Sequence, residues 1–223
     1  IRNTEKLIRT HTPDFDIERI ADEDGPTYRM LSSGASACVF QFESEGMQKT
    51  MIAAKPRRIE DLIALNALYR PGPMDNIPQY IDGKLGKEAV QYPLPQLESV
   101  LKETAGVIVY QEQVMEIAQI VGGFSLGQAD IMRRAMGKKK EKVMEEMMAH
   151  FLEGAQKQHI DTSTAEGIWE LLKKFAGYGF NKSHAAAYSV VAYKTAYLKA
   201  NYPAEFMAAN LTNEINDTKK FAS

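Results

Sequence analysis

One cysteine in 223 residues, Cys38, leaves no disulfide framework and no cysteine-based metal site. It stands in the apolar run "ACVFQF" and is expected to be a buried small residue; a lone thiol also fits a reducing cytoplasm. Neither sign of charge is in excess. The 27 Lys and Arg against 29 Asp and Glu give a formal net charge of -2, which excludes a uniformly basic nucleic-acid binder and confines any polyanion contact to one face. No stretch approaches the ~18 apolar residues of a membrane span, and no charged-then-apolar leader opens the sequence, so no membrane partner is expected. Fixed-period repeats and low-complexity tracts are missing too. So are the P-loop, GxGxxG, HExxH and GxSxG signatures, which removes the commonest phosphate-binding and hydrolytic motifs. The sequence opens at Ile1 rather than Met and is expected to be a piece of a longer chain.

What is present is a 44% hydrophobic content sufficient for a real core and strong helical periodicity, most of all in the second half. The reading is mainly α with a few short β elements. Ile59, Leu62, Ile63 and Leu68 mark one amphipathic helix, which Pro71 and Pro73 in "YRPGPMDN" must end. In "GVIVYQEQVMEIAQIVGGFS" residues 107–110 read as a short buried strand feeding a helix that Gly122 and Gly123 stop. Ser125 and Gln128 have capping-box spacing before "LGQADIMRRAMGKKK", and Ser163 and Glu166 repeat it before "IWELLKKF". Met144, Met147, Met148, Phe151, Leu152 and Ala155 form a core-type helical stripe. A long helix follows over about 183–198, and Pro203 restarts it. "ACVFQFESEGMQK" suggests a strand turning into a helix. Residues 1–30 read as a polar lead-in, 31–212 as one compact helix-rich unit, and 213–223 as a polar tail.

Three clusters have phosphate chemistry. Residues 133–142 hold six cations, Arg133, Arg134, Lys138, Lys139, Lys140 and Lys142. On a helix Arg134 and Lys138 share a face, while Ile131, Met132, Ala135 and Met136 pack on the other. Arg offers planar bidentate donors to phosphate oxygens and Lys a mobile point charge. The alternative is a solvated basic face neutralised by Glu141, Glu145 and Glu146. In "KKFAGYGFNKSHAAAY" a glycine-broken turn delivers Asn181, Lys182 and His184 to the mouth of a helix, whose free amides favour an anion; the alternative is an N-cap with a structural histidine. In "ALYRPGPMDN" the prolines fix the backbone around Arg70, so that its guanidinium is held at little entropic cost, or serves the turn alone. Tyr178 and Phe180 are more often core residues than stacking platforms.

Taken together, "FQFESEGM", "LYRPGPM", "GVIVYQEQVMEIAQ", "GFSLGQADIMRRAMGKKK" and "FAGYGFNKSHAAAY", in that order and followed by "YPAEFMAA", resemble the fingers region of the C-family replicative DNA polymerases, the bacterial DNA polymerase III alpha subunits. The likeness covers about residues 28–212, and five long motifs in order are far more specific than any one. It implies a helical fingers domain and template-directed nucleotidyl transfer. Mg²⁺ would be held by palm aspartates that precede the fingers. Asp14 and Asp16 in "PDFD" have acid-x-acid spacing but read as turns and caps, so no catalytic residue or metal ligand is assigned here. The piece alone is expected to be inactive. By resemblance Arg133 and Arg134 grip the phosphates of the incoming dNTP with Lys138 nearby, Asn181, Lys182 and His184 line its pocket, and Arg70 completes it. Lys139, Lys140 and Lys142 would meet primer-template backbone. The full enzyme would add the sliding clamp and other replisome subunits as partners, with residues 1–30 following a palm and 213–223 leading toward a clamp-binding region. A rival reading is a helical protein-interaction module that docks through the Met-rich stripe; a third is a stand-alone nucleic-acid binder.

Overall fold

The computed structural model describes residues 1–138, 141–176 and 179–214. Among them the chain folds into twelve α-helices. In order these are α1 (Arg2–Ile8), α2 (Gly25–Ser32), α3 (Glu45–Ala54), α4 (Ile59–Leu68), α5 (Ile77–Lys84), α6 (Glu98–Leu101), α7 (Gln111–Gly122), α8 (Leu126–Gly137), α9 (Glu141–Lys157), α10 (Thr162–Ala176), α11 (Lys182–Asn201) and α12 (Pro203–Glu214). Short 3-10 turns lie between several of them, including Ile17–Arg19 and Pro73–Asn76. The mainly α class holds.

The two expected strands do not form, for identifiable reasons. At 107–110 only Tyr110 takes part in β pairing, a single parallel bridge to Phe180. The N–H groups of Val109 and Tyr110 instead donate to one side-chain oxygen, Gln113 Oε1, at 2.8 and 2.9 Å, and that of Val107 to the Thr104 carbonyl, so these three donors are spent locally rather than on a neighbouring strand. In "ACVFQF" Cys38 and Gln41 sit at φ 63° and 65°, a left-handed conformation that breaks alternation. Val39 and Phe42 turn inward, Ser36 Oγ closes the turn on the Phe42 carbonyl at 2.6 Å, and Cys38 is exposed rather than buried.

The chain divides into two compact units, one of Ile1–Asn66 with the described part of Ala186–Ser223, the other Ala67–Ala185. In the first, α1 packs on α12, and Ile8, Phe15 and Ile17 are buried with Leu198 and Phe206. The stretch read as a lead-in thus carries core residues, while its acids do act as caps. Asp16 accepts from Glu18 N–H, and Asp24 caps α2 by accepting from Thr27 N–H. The Tyr193 hydroxyl accepts from Asp24 N–H and donates to the Ala21 carbonyl at 2.6 Å.

The second unit is built on α7, α8, α9 and α10. Their apolar faces meet around Val114, Ile117, Val121, Met132, Phe151, Trp169 and Leu172, with Met144, Met147, Met148 and Leu152 packed partly buried against them. That spends the Met stripe inside the unit. Helix α9 comes close to the end of α7. A side chain on Gly154 would collide with the Gly122 carbonyl, and one on Gly122 with the Phe151 ring. Gly123 then ends α7 at φ 65°, where a Cβ would be strained.

Candidate functional site

The first turn of α7 organises the second unit's polar side chains. Gln113, 5% exposed, makes this possible. While its oxygen holds the backbone of residues 109 and 110, its amide donates to the Val100 carbonyl at 3.1 Å and to Thr104 Oγ1 at 2.8 Å. Every capacity it uses is satisfied, as burial requires. The chain at 110–112 is thereby fixed beside residues 179–182. Phe180 N–H donates to the Val109 carbonyl at 3.1 Å and Gln111 N–H to the Phe180 carbonyl at 2.9 Å.

Gln111 carries the link onward. Its Nε2 donates to the Gly179 carbonyl at 2.9 Å, and its Oε1 accepts from Arg133 Nη1 at 3.2 Å. Arg133 also donates from Nη2 to Asp130 Oδ1 at 2.7 Å, while Arg134 Nη2 lies 2.7 Å from Asp130 Oδ2. Hydrogen bonding from Arg133, with Arg134 adding to it, holds the Asp130 carboxyl below the usual carboxylate range. Arg134 is the more open of the two, its side chain 67% exposed against 22% for Arg133.

The mouth of α11 is not vacant. The carboxylate of Glu112 accepts from the Lys182 backbone N–H at 3.2 and 3.1 Å and from Asn181 Nδ2 at 3.2 Å. Asn181 Oδ1 in turn accepts from His184 N–H at 2.9 Å, an N-cap. The expected free amides therefore already hold an anion, supplied by the chain itself. Lys182 Nζ donates to Glu103 Oε2 at 2.6 Å and stands 5.3 Å from the Tyr110 ring centre. The other oxygen of Glu103 is buried without a hydrogen-bond partner among the described residues.

Phe180 collects the remaining pair. The Arg70 guanidinium carbon lies 4.2 Å over its ring, a cation–π distance, and the His184 ring is centred 5.3 Å away. Arg70 Nε donates to the Ala67 carbonyl at 2.9 Å, which fixes its stem, and burial draws the guanidinium's pKa down.

Arg70, Arg133, Asn181, Lys182 and His184, distant in sequence, are thus joined through residues 110–112 and Phe180. Lys138 is different. Helix α8 stops at Gly137, and Lys138 is its exposed C-cap, one turn beyond Arg134, with its N–H on the Arg134 carbonyl at 3.1 Å. Ile131 departs from expectation: it is 54% exposed, whereas Met132, Ala135 and Met136 pack. Lys139, Lys140 and Tyr178, and most of the tail at 213–223, lie outside the described residues. Among the described residues no group of three His, Cys, Asp or Glu side chains is placed to hold a metal ion. No helix among them is long and apolar enough to cross a membrane.

The family model for the bacterial DNA polymerase III alpha subunit finger domain matches residues 1–159. The chain belongs to this finger-domain family. Its sequence is 64% identical over 222 residues to DNA polymerase III subunit alpha of Borreliella burgdorferi, covering 100% of this chain and 19% of that protein. It is 60% identical over 223 residues to the same subunit of Treponema pallidum, covering 99% and 19%, and 52% identical over 225 residues to that of Campylobacter jejuni, covering 100% and 19%. This finger-domain chain spans about a fifth of the length of these relatives.

Sequence reasoning missed the groups that hold the fingers' cations. Asp130 was legible, since it stands three and four positions before Arg133 and Arg134, the spacing at which helical side chains meet. Gln111 and Glu112 stood in the quoted "YQEQ", but their partners come from residues 133 and 179–182, and no local spacing announces that. Glu103 had no signal at all.

Proposed function

We propose that this chain is the finger domain of a replicative DNA polymerase catalytic subunit, and that it binds the triphosphate of the incoming dNTP opposite primer-template DNA. In this reading the whole subunit performs DNA-directed nucleotidyl transfer in the cytoplasm, with the sliding clamp and other replisome subunits as partners. Mg²⁺ is held mainly by palm aspartates outside this chain, and the finger domain alone is inactive.

One observation carries the reading. Gln111 ties the Arg133 guanidinium to the backbone that delivers Asn181, Lys182 and His184, while Arg70 rests on Phe180 of that same backbone. Cations from three distant segments thus belong to one linked set, as a polyanion with several adjoining phosphoryl groups requires. Their present partners also support it. Asp130, Glu103 and Glu112 stand where phosphate oxygens would be accepted, and each is a carboxylate that a more highly charged anion can displace. Lys138 would lie at the edge of this set, and Lys142 would meet template or primer backbone without reading bases. The Met stripe packs, partly buried, against the unit's own core, which leaves the protein-docking alternative little of its surface.

Steady-state kinetics test the proposal. In a polymerase carrying this chain as its fingers, Arg134→Ala raises the apparent KM for all four dNTPs and lowers kcat, because a phosphate contact is indifferent to the base. Unchanged kinetics, or an effect confined to one base, would refute the role.

A further inference from the structure

The first unit carries a second concentration of positive charge, in none of the motifs considered above. A cleft of about 420 Å³ is lined by Arg29, Lys55 and Arg57, with Glu23 its one carboxylate, over a floor formed by Tyr28 and Pro56. We propose that this cleft is a further nucleic-acid site, a seat for the phosphodiester backbone that is independent of base sequence and separate from the nucleotide-binding set.

Its cations are held on a rigid frame. Lys55 ends α3 at φ 47° with its N–H on the Met51 carbonyl. Ser32 Oγ donates to the Pro56 carbonyl at 3.3 Å. Beneath the loop Asp61, only 2% exposed, accepts from Arg57 N–H at 2.8 Å and stands 3.6 Å from Arg58 Nε. A buried carboxylate is costly unless paired; here it is paired with the "KPRR" loop, so its burial fixes the loop. Arg29 folds back over the first turn of α2, its Nη1 3.1 Å from where a Gly25 side chain would begin. Loop and helix are thus set before any ligand arrives, which lowers the ordering cost of binding.

The chemistry selects the backbone rather than the bases. Two guanidinium forks and an ammonium match phosphate oxygens. Of the nearby acids, Asp24 accepts from Thr27 and Asn201, with Arg29 close enough to help lower its pKa, and Glu60 lies 3.8 Å from Arg58. The cleft's one aromatic, Tyr28, is 6% exposed and donates its hydroxyl to the Asp22 carbonyl at 2.8 Å, so it offers no stacking face to a base. A contact of this kind positions a strand and carries no sequence information.

The test is fluorescence anisotropy of this chain with a labelled primer-template duplex across a salt series. The variant Arg29→Ala/Lys55→Ala/Arg57→Ala is expected to weaken binding by about tenfold or more. It should also flatten the slope of log K against log salt by about 2 to 3, since each neutralised duplex phosphate contributes about 0.9. Asp61 accepts the backbone N–H of Arg57, a bond that Arg57→Glu and Arg57→Lys both keep; the first should weaken binding and the second leave it within about twofold. A wild-type slope in the triple variant, or equal losses in the two Arg57 variants, overturns the proposal. So does polyglutamate competing with DNA as well as a phosphodiester of equal charge, which would point to an acidic protein surface. Dissociation constants for dNTP separate this result from the nucleotide reading: the cleft variants leave them unchanged, whereas Arg134→Ala raises them.

Discussion

Gln111 shows how one neutral side chain can organise several charged ones. It is half-buried, donates to the Gly179 carbonyl and accepts from Arg133. Gln111→Ala is expected to cost about 1–3 kcal/mol by urea unfolding, the range for stranding a partner of a charge-assisted bond, and to raise the apparent KM for dNTP in a polymerase carrying it. A variant with wild-type stability and KM would mean that the link holds nothing. Asp24 argues a pH dependence at the same scale. Burial tends to raise its pKa, but hydrogen bonds from Thr27 and Asn201 prevail and leave it lowered, as Arg133 does for Asp130. A carboxyl depressed in the fold adds stability above its unfolded pKa of about 3.9, and that stability is lost as pH falls below it. Asp24→Asn keeps an acceptor for the α2 cap and should flatten the acid limb of stability below about pH 4 in thermal melts. An unchanged limb would contradict the assignment. Single residues were legible where their partners are local, as with Asp130. They were not where the partner comes from another segment, as with Gln111 and Glu112.

Helices were the most legible level of the fold. The Ser125 and Gln128 capping box forms, with Gln128 N–H donating to Ser125 Oγ and the Gln128 side chain accepting from Ser125 N–H. The second box does not open its helix. Asp161 accepts from Thr164 N–H at 2.9 Å, and α10 begins at Thr162, which leaves Ser163 inside. Apolar runs could not distinguish a strand from a buried turn, because Gln113 satisfies one run and two left-handed residues bend the other. Helix packing gives a paired prediction. Gly154→Ala drives a methyl into the Gly122 carbonyl where α9 crosses α7 and is expected to cost about 3 kcal/mol or more, the upper end for overpacking without room to relax. Gly167→Ala, on the exposed face of α10 with nothing near its missing side chain, should stabilise by about 0.5–1 kcal/mol. Chemical denaturation of the two variants checks both signs; like signs would mean that the α7–α9 crossing is wrongly described.

At the scale of the whole molecule, the division into two units interleaves the chain, so that residues 186–214 return to pack with 1–66. Periodicity reveals which face of a helix is buried but not against what, so the partnership of α1 with α12 was hidden, as was the core role of Ile8, Phe15 and Ile17. Motif order, by contrast, carried the family directly. The central claim is that the cations around residues 110–112 and Phe180 form one anion site. Its most direct test is an amide NMR titration of this chain with each of the four dNTPs and with inorganic tripolyphosphate. The account predicts that all five ligands shift the same backbone amides, those of Gln111, Arg133, Lys182 and His184, and that Arg134→Ala weakens all five about equally. Shifts scattered over other surfaces, or tripolyphosphate leaving these four amides unmoved, would contradict it.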